Sequence, residues 1–516
     1  MEKVNEDRNM SVQQKDKIRV YLFLLIYAFL VMLLCAGSSP VIQYLSPDSS
    51  IFFTMGRSAA NGTILYKEIA DHKGFYLFLF NWIAAWLSPN SMNGLFVVEI
   101  FFAWLKLFFV YKIAKLYMED DKKSVLVATF FLAVSSNFFS WNTGNLGEQF
   151  ALAFWLISLY FMAVYMERNR KAQDIVEHNP LWMFVHGICA CVVLFIQGNL
   201  IAMWLPFGIG LACILLKKGY ISNFLKNFAA LIGGVGITIA PIVIYGVIHR
   251  CISDMYYVMF EINFLYSADG RLGKTVGGYL RDFFMQPSAI IVIMAVLGVW
   301  IACRYYKTIY FTCTILGMFL FSIVCMSVSL HADPIYYTTY LPFCVPLYIW
   351  IVKKVKLFET KSIMIMACVG VFIITVICNL QFVKKVFQIG TSGYAYESAR
   401  EMDELIENKD AKVLVLGNSH YYNCTGTLPH IKYFTIFGSG LRYETFPYCI
   451  DEQYNSLMSE KNDYIIIQFT DNNYTFWGEE QRDRAMNNCL NKAYNCLYEY
   501  DNGGIHSALY QKVSNQ

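Results

Sequence analysis

The chain is poor in charge. Only 15% of its 516 residues are Asp, Glu, Lys or Arg, against about a quarter in a soluble domain, which excludes an ordinary water-soluble fold. Twelve prolines and 32 glycines are too few for a disordered or collagenous chain. A formal net charge of +3 provides no basic field for nucleic acid. The cysteines match no zinc spacing, and no internal repeat is visible, which weakens an inverted-repeat transporter. The first apolar run has no small-residue cleavage site, so it is read as a retained helix and not a signal peptide.

What the chain has instead is apolar length: 57% of residues are hydrophobic and 17% aromatic. A helix needs roughly 20 mostly apolar residues to cross a bilayer. Runs of that order occupy 20–36, 94–112, 124–140, 149–166, 181–198, 200–216, 226–248, 288–303, 308–328, 336–352 and 363–381. A further run, Phe75 to Leu87, has 13 residues and suits an interfacial or half-inserted helix. Leaving it out of the spans puts Lys112, Lys115, Lys122, Lys123, Arg168, Arg170, Lys171, Lys217, Lys218, Arg304, Lys307, Lys353 and Lys354 inside. The turns near 141–148, 198–199 and 329–335 have no Lys or Arg and fall outside. Counting it would reverse every later loop against the positive-inside rule.

The expected fold is therefore a polytopic α-helical membrane protein with about eleven spans, N-terminus inside and C-terminus outside. Residues 1–19 form a cytoplasmic N-terminus and 20–382 the transmembrane module. That module carries two long outer loops, 38–93 and 249–287. The first loop holds interfacial helices over Ile51 to Ala60 and Phe75 to Leu87. Residues 390–516 read as a small extracytoplasmic α/β domain. Its expected helices cover Ser398 to Asn408 and 478–491; its strands lie at 412–417, Tyr433 to Phe437 and Asp463 to Phe469, with a hairpin at 495–512. It has no Gly-x-Gly-x-x-Gly and no phosphate-binding loop. Its cysteines, Cys424, Cys449, Cys489 and Cys496, could pair in an oxidising compartment or stay solitary.

Chemistry concentrates in the first outer loop. Asp48 stands at the start of a helix, and Ala70-Asp71-His72-Lys73-Gly74 follows Tyr66. An Asp there can cap free N–H groups, act as a base, or do both. Lys73 can hold a phosphate or anchor a headgroup.

The order of first span, Asp, helix, Gly…Tyr, Asp-His-Lys and apolar half-helix resembles membrane glycosyltransferases of the GT-C superfamily. It is most similar to the branch with the protein O-mannosyltransferases and the lipid A aminoarabinose transferases. That resemblance implies a sugar donor carried on polyprenyl phosphate, Asp48 as general base and Lys73 as donor-phosphate ligand. It implies a second acidic residue after the third span, where Glu148 stands, with Asp71 as a further candidate. Arg57, Tyr66, His72, Gln197, Arg271, Lys274, His331 and Tyr337 are the other expected substrate-binding positions. Loop one departs from the family in having one carboxylate, since Ser49 follows Asp48.

The resemblance implies transfer of a sugar to a glycan, lipid or protein acceptor at the outer face of the plasma membrane. One carboxylate attacking through the acceptor predicts inversion. Phosphate is a good leaving group, so no cofactor is called for and a divalent metal is not required. Membrane lipids are the other expected partners. A polysaccharide polymerase or a lipid or sugar transporter of the cell envelope is the alternative.

Overall fold

The computed structural model describes residues 2–136, 144–328, 330, 332–379, 394–435, 446–469, 477, 480–502 and 505–513. The chain divides into two units: residues 1–36, 96–241 and 276–381, and residues 37–95, 242–275 and 382–516.

The first unit is helical. The expected apolar runs all lie on helices, and eight helices among the described residues are long and apolar enough to cross a membrane. They are Gln14–Cys35, Asn93–Tyr117, Gly147–Ala172, Gly198–Lys217, Ile221–Ile248, Ala289–Tyr306, Ile309–Ser327 and Pro334–Lys354. Three expected spans form shorter helices, Asp121–Ser135, Pro180–Leu194 and Lys361–Cys378. Fifteen residues at 1.5 Å each make about 22 Å, short of the ~30 Å hydrocarbon core. The expected continuations to 140 and 381 run into residues outside those described.

Basic helix ends gather together in this unit. The Lys353 ammonium donates to the Tyr117 carbonyl (3.4 Å), and Tyr117 and Tyr306 share a hydroxyl hydrogen bond. Tyr305 donates to Glu167 (3.2 Å), which Arg170 also holds at 2.7 Å. The ends of four span-length helices thus share one end of the bundle.

The second unit joins loop one, the second long loop and the tail. The Pro47–Ala60 helix begins four residues earlier than expected, because Ser46 accepts from the Ser49 N–H (3.3 Å) and Pro47 takes a first-turn position where its missing N–H costs nothing. Ten of its residues, from Ser49 to Ala59, are buried by protein, so this helix is interior and not interfacial. At Gly56 a Cβ would stand 2.4 Å from the backbone of Asn81, so the helices meet where only glycine fits. The Phe75–Leu87 helix keeps its 13 residues and exposes Ile83, Trp86 and Leu87 as an apolar edge.

In the tail, four strands order as β1-β2-β4-β3: Val413–Leu416, Tyr464–Phe469, Ile505–Lys512 and Tyr494–Asn502. β1 and β2 are parallel, and the other pairings are antiparallel. Helices Tyr394–Leu405 and Glu480–Ala493 replace the expected 398–408 and 478–491 within a few residues. Leu414, Leu416, Ile465, Ile467, Met486 and Leu490 form the core of this layer.

One expected strand of the tail does not form, and the open question of its cysteines is answered. Residues 433–435 form no strand, because the Glu452 carboxylate takes the N–H groups of Lys432 (3.1 Å) and Tyr433 (2.7 Å) that a ladder would need. Residues 436 and 437 lie outside the described set. Cys424, Cys449, Cys489 and Cys496 are all free thiols, so none of the open pairings forms.

Candidate active site

Lys73 is held by its own backbone. The Asp71 carboxylate accepts its N–H (3.0 Å) and the Tyr66 hydroxyl donates to its carbonyl (3.0 Å). Tyr66 is fully buried and sits at φ +68°, a left-handed conformation uncommon for a tyrosine. Its N–H closes a tight turn on the Ile69 carbonyl (2.7 Å). The Lys73 side chain is left half-buried, one residue before Gly74. Gly74 opens the Phe75–Leu87 helix with no side-chain cap. A lysine beside an uncapped helix N-terminus combines a full positive charge with the dipole and free N–H groups that favour anions.

Asp71 and His72 make the support beneath it. The His72 Nδ1 stands 3.6 Å from the buried Asp71 carboxylate. Burial pushes the Asp71 carboxyl up, but His72, the Lys73 charge and the Lys73 N–H together outweigh it and leave it below the usual range. The His72 ring stacks on Tyr266 (5.3 Å, 24°), and its carbonyl accepts from the Asn263 amide (2.6 Å). Asn263 and Tyr266 belong to the Ile262–Arg271 helix, which continues from a π-helical turn at Tyr257–Glu261. Sequence reading missed both. In that loop it singled out Arg271 and Lys274, which are exposed.

Asp48 is the second residue of its helix, in the first turn, and is exposed. The cap it was expected to offer is supplied by Ser46. Asp48 follows that cap in the first turn, where a carboxylate favours the helix dipole.

Arg57 does not face an open site. Its buried guanidinium donates to the carbonyls of Tyr422 (2.8 Å), Gly426 (2.7 Å) and Thr427 (3.4 Å) and to Asn423 Oδ1 (3.4 Å). Asn423 in turn donates to Ser50 Oγ (2.8 Å). Burial pulls Arg57 down to about 10, leaving it charged at neutral pH. The expected donor-binding role therefore gives way to a tie between loop one and the tail. Arg57→Ala should destabilise the protein by about 3 kcal/mol, since the buried carbonyls of Tyr422 and Thr427 and the half-buried bond to Gly426 lose a charged donor at once. Arg57→Lys should recover only part, because one ammonium lacks the planar fork. Thermal unfolding of the two variants measures this.

The remaining expected residues fall in the first unit. Glu148 is buried in the first turn of Gly147–Ala172, where Leu146 holds the cap position without a side-chain bond, so Glu148 is not its cap. Next to it, Gln149 accepts from the buried Lys106 ammonium (2.9 Å). Glu99, Lys106, Asn145 and Gln149 line a cavity of about 20 Å³, room for about one water. Gln197 is half-buried at the start of the Gly198–Ile201 turn. Tyr337 is fully buried, stacked on Phe283 (4.7 Å) with its hydroxyl on the Phe283 carbonyl. It is packing, not a substrate contact. His331 lies outside the described residues. No three His, Cys, Asp or Glu side chains come together as a metal site among the described residues.

No family model and no curated protein matches this sequence. Solved structures do match its fold. ArnT from Cupriavidus metallidurans bound to undecaprenyl phosphate aligns over 97% of this chain and 98% of its own, with a TM-score of 0.63 at 11% identity. ArnT from the same organism in the apo state aligns over 97% and 99%, with a TM-score of 0.59 at 10% identity. ArnT is a lipid A aminoarabinose transferase of the GT-C superfamily, so the resemblance drawn from the sequence holds at the level of fold.

Proposed function

We propose that this chain is a multi-pass membrane glycosyltransferase that takes a sugar from a polyprenyl-phosphate carrier and passes it, with inversion, to an acceptor at the outer membrane face. The observation that carries this reading is Lys73, fixed through its backbone by Asp71 and Tyr66 at the uncapped start of a helix whose exposed edge is apolar. A phosphate bound there keeps its lipid tail beside an apolar surface. The fold shared with ArnT, crystallised with undecaprenyl phosphate, supports the same donor class.

The chemistry needs few groups. An acceptor hydroxyl gives its proton to the Asp48 carboxylate as its oxygen attacks the anomeric carbon. The bond from that carbon to the phosphate oxygen breaks, and the electron pair leaves with the phosphate. Lys73 and the helix N-terminus stabilise the charge developing there. The exposed Arg271 and Lys274 would meet a phosphate or lipid headgroups.

The test is incubation of the purified protein with a panel of polyprenyl-phosphate sugars and glycan, lipid or peptide acceptors. One donor should release free polyprenyl phosphate only when acceptor is present. Movement of intact donor across vesicles, with none consumed, would replace this reading by a transporter.

A further inference from the structure

We propose that the basic end of the helical unit holds one anionic phospholipid, its acyl chain lying along the Leu341–Lys354 helix and its phosphate on Lys353 and Lys354. A cavity of about 340 Å³ opens there between five span-length helices, within the size range of small-molecule sites. Its walls are apolar, with Met162, Val299, Ala302, Met318 and Ile349 among them. It runs from Pro342 to Lys354 on one helix. Twelve steps of 1.5 Å make about 18 Å, close to the ~15 Å depth of one leaflet.

The fold explains why space opens at this place. Beside the Pro342 end, a Cβ on Gly298 would meet the Phe343 carbonyl at 1.9 Å, so the Ala289–Tyr306 and Leu341–Lys354 helices touch backbone to backbone. Toward the basic end, Pro346 interrupts the second helix and lines the cavity. Proline there removes a ladder hydrogen bond and bends the axis.

Charge then selects the occupant. The Lys353 ammonium has a carbonyl partner, the Tyr117 oxygen at 3.4 Å, and no carboxylate among the described residues. Lys354 has neither hydrogen bond nor ion pair among the described residues, while Arg170 and Tyr305 already hold Glu167. Two exposed ammonium groups that meet no carboxylate among the described residues stand at the mouth of an apolar slot. A neutral lipid leaves them unmatched, and inorganic phosphate leaves the walls bare. An amphiphile with one anionic head satisfies both.

Native mass spectrometry of the full-length protein, titrated with phosphatidylglycerol or phosphatidylcholine in detergent, tests this. One phosphatidylglycerol per chain should be retained at least tenfold more tightly than phosphatidylcholine. Lys353→Ala with Lys354→Ala should abolish that preference, and the paired Arg variants should keep it. Ala302→Trp, which fills the slot, should lose the bound lipid, and thermal unfolding shows whether each variant is folded. Equal retention of the two lipids, or a preference surviving in the double alanine variant, overturns the proposal. So does displacement of phosphatidylglycerol by undecaprenyl phosphate at equal concentration, since the slot would then belong to the sugar carrier.

Discussion

Asp48→Asn should lower sugar transfer by about 10²–10⁴-fold, the usual contribution of a general base, while the protein stays folded and still binds donor. The structure sharpens this expectation, because the cap of the helix belongs to Ser46. Asp48→Ala should then be as inactive as Asn, and should cost only the ~0.3–1 kcal/mol that an acid gains near a helix N-terminus. Ser46→Ala should do the reverse, losing about 1 kcal/mol of stability and keeping transfer. Turnover assays beside thermal unfolding separate the two roles. Full transfer by a folded Asp48→Asn protein would remove the base assignment.

Lys73→Ala should weaken donor binding by about 10- to 150-fold, the equivalent of one charge-assisted hydrogen bond of ~1.5–3 kcal/mol. The contact exists before the reaction as well as during it, so KM should rise more than kcat falls. Asp71→Asn should act one step back, keeping an oxygen for the Lys73 N–H but losing the charge beside His72. Its distinguishing mark is pH. The folded carboxyl lies below the unfolded value of about 3.9, so its stabilisation is complete above that value and is lost as pH falls through the folded one. The stability gap between wild type and Asp71→Asn should hold at neutral pH and narrow below about pH 4. A gap that did not change with pH would mean that Asp71 is not charged in the fold.

Much of the scaffold was legible because apolar length is a one-dimensional signal. The expected runs became helices, and the 13-residue run stayed short. The start of the Pro47–Ala60 helix was misplaced although Ser46-Pro47 is itself a start signal, because the apolar residues begin only at Ile51. Lys73 was readable as a candidate; its supports, Asn263 and Tyr266, were not, since nothing local marks a side chain that meets a loop 191 residues earlier. The same limit misassigned Arg57, whose partners begin at Tyr422. An arginine in a loop rich in site residues looks like a phosphate ligand until its carbonyls are known. The strand expected at Tyr433 failed for a related reason, since Glu452 claimed its N–H groups from 19 residues away.

The Arg57 tie also sets a clock on biogenesis. Its first carbonyl partner is 365 residues further along the chain, which a ribosome making about 5–20 residues per second reaches roughly 20–70 s later. Throughout that interval the helix that carries Asp48 has emerged without the carbonyls that bury its arginine. Loop one therefore cannot finish folding in order of synthesis. A chain that stops before Tyr422 ends without the carbonyls that hold its guanidinium, and the lesion a quality-control protease would meet lies near the beginning of the protein, not at its broken end.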